Sequence, residues 1–412
     1  MRIVYITDTH EIGGAERYLA NLAEQVAKHG HDVLIFAPQD ELVAWFSHAA
    51  PSISAARAFD DDYHYAPTLT RRTAALLALA PRLTRLLRKL APDVVHVNNG
   101  GFPGSDLCRI ALPAARLAGV GRRLMTVHSN PWPRDRMADP SLQAIVDRLT
   151  WSSTHAVIAP SEAVARGLTY RRGMSRNLGR TIYYGVGRPD HDPRLVNNLR
   201  RRLASAGELL VGMVSARPVA EKGYGVFIDA LATLGDRVRG VVVGPPPPDL
   251  AARASGAGLQ LTIAGRRENV GDYYAAFDVL VVPSTDEECM PLVILEAASV
   301  RTPTFGSRLS GIPEAITDGV DGRLFEPGSA RELAELIASA ETDRSGTATM
   351  GRAAQERWRR QFQLDTMTRS TLALYGEVLS ERGGRRRAGS CSASDARGGR
   401  PRRARESDPP RA

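Results

Sequence analysis

The sequence has few cysteines, few lysines and no long apolar run, and these shortages exclude several classes of protein. Its 412 residues hold three cysteines, Cys108, Cys289 and Cys391, without the C-x-x-C spacing of a zinc site or the density of a disulfide framework. No apolar run reaches the roughly eighteen residues of a membrane span, and the first residues do not resemble a signal peptide. We therefore expect a protein of the reducing cytoplasm that is neither secreted nor membrane-spanning.

Positive charge is abundant but is concentrated at one end of the chain. Of a net charge of +9, +7 lies between Arg382 and Ala412, a segment with ten arginines and no aliphatic run. A segment of this composition cannot bury enough apolar surface to offset its ordering entropy, so we expect residues 382–412 to be a disordered arginine-rich tail. The rest of the chain is nearly neutral, which argues against nucleic acid as its partner.

The length and the order of predicted elements indicate an α/β protein with two domains. A strand at 2–7, a loop, a helix at 15–29 and a strand at 33–36 predict a parallel pair with a right-handed crossover. Further strands of this first domain are expected at 94–97, 123–127 and 156–158. After a polar stretch at 186–207 the pattern begins again, with strands expected at 209–215, 241–243, 261–264, 279–282 and 304–306.

We therefore expect a first domain at residues 1–190 and a second at 208–358, each with a Rossmann-like sheet. In such sheets ligands bind at the carboxyl ends of the strands, so the residues that follow each strand are the candidates for chemistry. A cleft between the two sheets is the expected site.

Two glutamates flank the start of a predicted helix that follows the strand at 279–282. Glu288 lies in an acidic loop, and Glu296 lies eight residues later in a helix that Pro291 is placed to begin. The amides of Leu292 and Val293 lack helical partners there and can hold a phosphate. Because carboxylates accept hydrogen bonds from hydroxyls, the two glutamates suit the sugar and the ribose of a sugar nucleotide.

A second candidate segment, SARPVAEKG at 215–223, follows the first strand of the second domain. It contains Arg217 and Lys222, and Lys222 is one of only three lysines in the chain, against fifty-one arginines. Two fixed cations in a cleft can stabilise the charge that grows on a diphosphate as the bond to it breaks. The alternative is that both residues form ordinary surface ion pairs.

Two glycines, Gly13 and Gly14, lie between the first strand and the first helix in the segment GGAER. They allow backbone amides to approach a ligand closely, and a simple tight turn is the alternative. The segment is not G-x-G-x-x-G, which argues against a dinucleotide-dependent oxidoreductase. His128 also follows a strand, although a lone histidine is more often structural than catalytic, and His96 lies in an apolar run where we expect a structural role.

The segment with Glu288 and Glu296 resembles the E-x7-E motif of retaining glycosyltransferases of the GT-B fold, in particular family 4, the glycosyl transferases group 1. Residues 215–223 resemble the G-R-x-x-x-E-K-G segment of that family, with Ala216 in place of the usual glycine. The resemblance covers roughly residues 1–379. It implies two Rossmann-like domains that face each other across a cleft, with a C-terminal helix near 360–380 that crosses back to the first domain.

The resemblance also implies roles for the candidate residues. It places Glu288 and His128 near the donor sugar, and Glu296 on the ribose of the nucleotide. Arg217 and Lys222 would stabilise the diphosphate. The remaining donor-binding candidates are Gly13, Gly14, Met290, Pro291, Leu292 and Val293. The chain departs from the family where Cys289, Met290 and Pro291 replace a glycine-rich loop, and proline has no amide to offer a phosphate.

The reaction that the resemblance implies is transfer of a sugar to a hydroxyl with retention of configuration, without a protein nucleophile. The nucleotide sugar, such as a UDP- or GDP-sugar, is a co-substrate, and no cofactor or metal is expected. A metal-dependent transferase would place a D-x-D at the end of a buried strand. The two D-x-D matches, Asp60 with Asp62 and Asp190 with Asp192, lie instead in polar segments.

The acceptor is a glycan, a lipid-linked molecule or a small molecule, and the sequence does not choose among them. A helix at 75–90, with Pro81 expected at its proper start, has leucines on one face and Arg82, Arg85, Arg88 and Lys89 on the others. Such a helix can lie on an anionic membrane, which would permit peripheral attachment to the inner face of the cell membrane. A surface helix that packs its leucines on the sheet is the favoured alternative.

Two other classes of function remain as alternatives. A non-catalytic partner or scaffold protein with the GT-B fold would bind little or no nucleotide. A nucleic-acid-binding role would depend on the arginine-rich tail alone, because the body of the chain contains no recognition motif.

Overall fold

The computed structural model describes residues 1–9, 12–58, 69–137, 139–268, 270–286 and 288–388. These residues form two parallel β-sheets with helices packed on both faces. The strands are nearly continuous apolar runs because each sheet is covered on both sides. The expected α/β class with two Rossmann-like sheets is therefore confirmed.

The first sheet has seven strands in the order β3-β2-β1-β4-β5-β6-β7. They are β1 (Arg2–Thr7), β2 (Asp32–Ala37), β3 (Ser54–Arg57), β4 (Val94–Asn99), β5 (Arg122–Val127), β6 (Ala156–Ala159) and β7 (Gly179–Thr181). The second sheet has six strands in the order β10-β9-β8-β11-β12-β13. They are β8 (Leu209–Val214), β9 (Val238–Val243), β10 (Thr262–Gly265), β11 (Val279–Val282), β12 (Thr304–Ser307) and β13 (Gly322–Phe325).

The direction in which strands are added reverses once in each sheet. The reversal falls between β1 and β4 in the first sheet and between β8 and β11 in the second. Loops diverge at such switch points and leave a crevice at the carboxyl ends of the strands. The loops after β1, β4, β8 and β11 are therefore placed to line a ligand site.

Fifteen α-helices accompany the described strands. They are α1 (Gly14–Lys28), α2 (Asp40–Ala49), α3 (Leu69–Leu90), α4 (Asp106–Leu117), α5 (Pro140–Ser153), α6 (Glu162–Arg172), α7 (Pro193–Leu203), α8 (Tyr224–Ala232), α9 (Leu250–Gly256), α10 (Gly271–Ala276), α11 (Leu292–Ser299), α12 (Ile312–Ala315), α13 (Ala330–Thr342), α14 (Arg344–Gln361) and α15 (Leu364–Ala388).

The predicted strands are all present, with ends that differ by no more than three residues. The polar stretch at 186–207 differs from expectation, because it contains α7, whose N-terminus is capped by the side chain of Asp192. Residues 382–388, which we expected to belong to a disordered tail, instead continue α15 to Ala388. The remaining tail residues lie outside the described part of the chain.

Helix α3 begins at Leu69 and contains Pro81 in its interior, so the expectation that Pro81 starts the helix is wrong. Leu79, Leu83 and Leu87 are buried in the core of the first domain. The favoured alternative, a helix that packs its leucines against the protein, is thus confirmed for these residues. Within the described residues, no helix combines the length and apolar character that crossing a membrane requires.

The C-terminal helix α15 packs against α1 of the first domain, as expected. Its Tyr375 hydroxyl lies 3.1 Å from the Tyr5 hydroxyl and 2.6 Å from His96 Nδ1. The other ring nitrogen of His96 lies 2.7 Å from Thr126 Oγ1. His96 is therefore a buried structural residue that fastens α15 to the first sheet.

The chain passes between the two sheets in two places, and these two connections are joined. The amide of Val186 donates to the carbonyl of Phe362 at 2.9 Å, and Val186 forms a parallel bridge with Gln363. The Trp358 indole donates to the carbonyl of Val186 at 3.2 Å. The outgoing and returning connections are thus held side by side.

Candidate active site

The loops after β8 and β11 meet at the switch point of the second sheet. The amide of Thr285 donates to the carbonyl of Glu221 at 2.8 Å, which joins the two loops directly. Gly223 adopts a left-handed φ of 78° where it ends the β8 loop and begins α8. A side chain at Gly223 would overlap the carbonyl oxygen of Pro283, so glycine permits the close approach of the loops.

This junction brings Lys222 and Glu288 into contact. Lys222 Nζ lies 2.5 Å from Glu288 Oε1, and the Ser284 hydroxyl donates to the same oxygen at 2.9 Å. Both side chains of the ion pair are partly exposed, so they remain accessible to a ligand. Two residues singled out separately in the sequence therefore form one charged unit at the end of two neighbouring strands.

Glu296 lies in α11, one helical turn beyond the helix start. Its carboxylate accepts a hydrogen bond of 2.8 Å from the Tyr274 hydroxyl. Burial raises the pKa of Glu296, although the hydrogen bond from Tyr274 and the positive charge of Arg17 oppose this effect. Because Arg17 belongs to α1, the first domain contributes to the electrostatics of this carboxyl group.

Helix α11 begins at Leu292, with Pro291 as its N-cap residue rather than in its first turn. The amide of Ile294 donates to the Pro291 carbonyl at 3.2 Å, whereas no described hydrogen bond uses the amides of Leu292 and Val293. These two amides match the phosphate-binding prediction. Met290 is buried and packs in the core, so its contribution at the site would come from its backbone.

The glycine pair of the first domain lies opposite α11. A Cβ on Gly14 would lie 3.8 Å from Leu292 Cδ1, which places the start of α1 against the start of α11. The amide of Gly13 donates to the Glu16 carboxylate at 2.8 Å. Of the two glycines, Gly13 thus has an internal partner for its amide, and Gly14 lies at the cleft surface.

His128 is buried, and both of its ring nitrogens have protein partners. Its Nε2 lies 2.6 Å from Asn98 Oδ1, and its Nδ1 lies 2.6 Å from the Tyr184 hydroxyl. Asn98 in turn donates through Nδ2 to the carbonyl of Ala15 at 3.3 Å. The Tyr184 hydroxyl also lies 3.8 Å from Cys289 Sγ, so this chain of contacts connects the loop of Glu288 with the start of α1.

The hydrogen-bond partners of His128 determine which of its ring nitrogens carries the proton. Asn98 Oδ1 can only accept, so His128 carries its proton on Nε2 and Nδ1 accepts from Tyr184. Burial lowers the pKa of His128 to about 3 and keeps the ring neutral. A direct contact between this ring and a donor sugar would require one of the two hydrogen bonds to break, and the sugar-binding role of His128 stays a prediction.

The neutral state of His128 can be tested by NMR. With a pKa near 3, the ring is expected to remain the Nε2–H tautomer between about pH 5 and 8. Its carbon and nitrogen shifts should stay constant over that range, and the His128→Phe spectrum would supply the assignment. A titration near pH 6.5 would contradict the hydrogen-bond arrangement described here.

Arg217 is exposed, and no described side-chain contact engages its guanidinium. Its backbone carbonyl instead accepts from the Ser215 and Tyr224 hydroxyls. The structure therefore does not bring Arg217 to the Lys222–Glu288 pair, and its role on a diphosphate stays a prediction.

Neither D-x-D pair forms part of the described site. Asp60 and Asp62 lie outside the described residues, and the carboxylate of Asp192 caps α7 by accepting from the Arg194 amide at 2.8 Å. Among the described residues, no group of three or more His, Cys, Asp or Glu side chains is arranged to hold a metal ion.

Sequence reasoning missed three residues that complete the site. Ser284 lies two residues after the end of β11, and this position near a strand end was the available signal. Tyr274 and Tyr184 reach Glu296 and Cys289 from distant segments, and nothing in their local sequence indicates this.

Polar contacts also join the two domains beside the cleft. The Glu314 carboxylate accepts from the amides of Glu162 and Ala163 at 2.7 and 2.9 Å, at the N-terminus of α6. Asn130 Nδ2 donates to the Ser310 hydroxyl at 2.6 Å. A carboxylate at a helix N-terminus is favoured by both the helix amides and the helix dipole, so Glu314 stabilises this contact between the two domains.

Two Rossmann-like domains with a cleft between them and a returning C-terminal helix define the GT-B class of glycosyltransferases. The family models agree with this class. Residues 12–187 match the model described as Glycosyltransferase Family 4, and residues 208–343 match the model described as Glycosyl transferases group 1. Together these matches span more than half of the sequence, and the chain belongs to the group 1 glycosyltransferases.

Individual relatives are distant but cover most of the chain. Sulfoquinovosyl transferase SQD2 of Arabidopsis thaliana is 24% identical, with 84% of this chain and 67% of that protein aligned. A D-inositol 3-phosphate glycosyltransferase of Thermobifida fusca is 26% identical, with 90% of each chain aligned.

Solved structures show the same fold. HepE of Anabaena in complex with UDP superimposes with a TM-score of 0.75 at 21% identity, over 92% of this chain and all of that one. A glycosyltransferase of Rickettsia africae gives a TM-score of 0.78 at 20% identity, over 92% of this chain and 98% of that one.

Proposed function

We propose that this glycosyltransferase transfers a sugar from a nucleotide-sugar donor to a hydroxyl acceptor with retention of anomeric configuration and without a metal ion. The observation that carries the proposal is the contact between Lys222 and Glu288 at the switch point of the second sheet, beside the free amides of α11. The Glu288 carboxylate suits the hydroxyls of a sugar. The Lys222 ammonium group and the α11 amides suit a diphosphate.

The donor phosphates would lie between the start of α11 and the glycine pair of the first domain. The amides of Leu292 and Val293 would bring their partial positive charge to this position, and Lys222 would add a full charge. A diphosphate gains negative charge as the glycosidic bond breaks, and these groups are already in place before it does. Arg217 lies in the same loop as Lys222 and would add a second cation when a donor is bound.

The two glutamates would hold the hydroxyl groups of the donor. Glu288 would accept from the sugar, and Glu296 from the ribose, because Glu296 lies deeper and beyond the phosphate-binding amides. In retaining transfer of this kind, the acceptor hydroxyl attacks from the face that the diphosphate leaves, and a departing phosphate oxygen accepts its proton. No side chain is then needed as a nucleophile, and neutral His128 would position the donor loop through Tyr184.

A nucleotide sugar is the proposed donor class, and a UDP-sugar is the first candidate because HepE was crystallised with UDP and with UDP-glucose. The proposed acceptor is a compound with a free hydroxyl group, which is a glycan, a lipid-linked molecule or a small molecule. We further propose a cytoplasmic location and a role in building cell-envelope polysaccharide.

The proposal is tested by donor binding and by product stereochemistry. A UDP-, GDP- or ADP-sugar is expected to raise the unfolding temperature, and the matching sugar should appear in the product with the anomeric configuration of the donor. Activity should persist in excess EDTA. An inverted product, or activity that EDTA abolishes and manganese restores, would contradict the retaining or the metal-independent part of the proposal.

The same screen separates the other classes of function. A non-catalytic GT-B protein would show little or no shift with any nucleotide. A nucleic-acid-binding function would be lost entirely on deletion of the residues after Leu379, whereas sugar transfer should depend on the two domains.

A further inference from the structure

Helix α5 exposes three aliphatic residues, and Trp151 is the one apolar residue among the four that it buries. Leu142, Ile145 and Leu149 are 50%, 58% and 56% exposed, although they lie on one face of the helix at spacings of three and four residues. The opposite face is buried and carries Asp147, whose carboxylate forms a two-pronged ion pair with the fully buried Arg172.

An exposed row of aliphatic residues is unfavourable for a surface helix in water. Burial of Asp147 requires its charge to be compensated, and the inner face of the helix holds that ion pair together with Thr150, Trp151 and Ser153. Three large aliphatic side chains remain about half exposed on the outer face. A row of this kind indicates a surface that is covered in use.

The neighbouring helices surround this row with positive charge. Helices α3, α4 and α5 lie side by side on one face of the first sheet. Arg88 of α3 donates to the carbonyl of Leu117 in α4 at 3.1 Å, and Arg116 of α4 donates to the carbonyl of Ser152 in α5 at 3.2 Å. Leu117 itself, the last residue of α4, is 69% exposed.

The charge on this layer is predominantly positive, although the exposed carboxylate of Asp139 caps the start of α5 by accepting from the Leu142 amide. Its exposed cations are Arg82, Arg85, Arg88, Lys89, Arg116 and Arg148. The three helices contain only two acidic residues, and both are paired inward: Asp106 with Arg109, and Asp147 with Arg172. None of the ion pairs found among the described residues engages an exposed cation of this layer.

We propose that the outer surface of α3, α4 and α5, called the docking face below, binds an anionic lipid bilayer. Leu142, Ile145 and Leu149 would insert at the boundary between headgroups and acyl chains, and the cations of α3 and α4 would lie against the anionic headgroups. The apolar part comes from α5, because the leucines of α3 are used in the core. A second copy of the chain is disfavoured as the partner, because a symmetric dimer would bring like charges together.

The test is co-sedimentation of the full chain with vesicles of phosphatidylcholine alone or mixed with phosphatidylglycerol, without donor or acceptor. The full chain should bind the mixed vesicles. Ile145→Ser/Leu149→Ser is expected to weaken binding roughly tenfold, because two inserted aliphatic chains are lost. The matched control is Leu195→Ser/Val320→Ser, which removes exposed aliphatic residues elsewhere and should leave binding unchanged.

Charge is tested in the same assay. Arg82→Gln/Arg85→Gln/Lys89→Gln is expected to weaken binding roughly a hundredfold at low salt and to flatten its salt dependence. Arg194→Gln/Arg201→Gln/Arg202→Gln on α7 removes the same charge elsewhere and should have a much smaller effect. Thermal unfolding of each variant confirms that the fold is intact.

Three outcomes would overturn the proposal. One is absence of binding to the mixed vesicles, and another is unchanged binding of the Ile145→Ser/Leu149→Ser variant, which would assign the attraction to the arginine-rich tail. The third is a full chain that is dimeric by light scattering and becomes monomeric in that variant, which would make the docking face an interface between copies. None of these readouts depends on sugar transfer, so the proposal can fail while the proposed function stands.

Discussion

Lys222→Met is expected to lower kcat for sugar transfer by about 10²–10³-fold, with a much smaller effect on donor affinity. Methionine keeps the length of the side chain but removes the ammonium group that lies 2.5 Å from Glu288. The lost charge is needed most when the diphosphate departs, so the effect falls on the transition state. Steady-state kinetics and a donor titration measure the two quantities separately.

The control for this prediction is Lys28→Met, an equivalent change at an exposed, ion-paired lysine of α1, which should leave kcat unaltered. Glu288→Gln is expected to be as damaging as Lys222→Met. Because the two residues act as one charged unit, the double variant should be little worse than either single variant. A loss of kcat below about threefold in Lys222→Met would remove Lys222 from the proposed mechanism. Stability should change by roughly 1 kcal/mol or less, since the pair is partly exposed.

Gly223→Ala is expected to destabilise the second domain by more than about 3 kcal/mol and to abolish transfer. Alanine at a φ of 78° carries a conformational cost of about 1 kcal/mol, and its methyl group would also overlap the Pro283 carbonyl oxygen. Relief of the overlap would separate the loops that carry Lys222 and Glu288. Denaturant unfolding and initial rates measure both effects.

Gly235→Ala supplies the matched control. Gly235 has a similar φ of 65° in the same domain, but a Cβ there would meet nothing within 4 Å. It should therefore cost only the conformational part, about 1 kcal/mol, and leave activity intact. Equal losses of stability in Gly223→Ala and Gly235→Ala would mean that the close approach of the two loops does not contribute to the stability of the domain.

The strands of both sheets were predictable because the sequence pattern that marks a buried strand lies within the strand itself and its flanking residues. Buried parallel strands are short apolar runs between turn residues, as in Val279–Val282, and such runs stand out from their surroundings. Helix α7 was missed because its sequence, PRLVNNLRRRL, is rich in Arg and Asn and has no fully buried residue, although Val196, Leu199 and Leu203 recur at helical spacing and pack against the core. The Asp-Pro sequence that begins at Asp192 is typical of a helix start, but the polar composition of the segment favoured a loop.

The site was only partly predictable, because its contacts depend on strand order. Lys222 and Glu288 lie 66 residues apart in sequence and meet because β8 and β11 are neighbours in the sheet. Motif spacing identified both residues but not their contact. The partners of His128 could not be predicted at all, since Asn98 and Tyr184 reach it from other parts of the first domain.

The joined connections at Val186 and Gln363 determine how the two domains can move. Two separate linkers would allow the domains to slide and twist, but connections fixed to each other at one point act as a single pivot. Sliding of one domain past the other is then opposed at this point, and rotation about it is the motion that we expect to remain. Such a rotation would displace Gly14 relative to Leu292, across the cleft, and so would change the width of the proposed donor site.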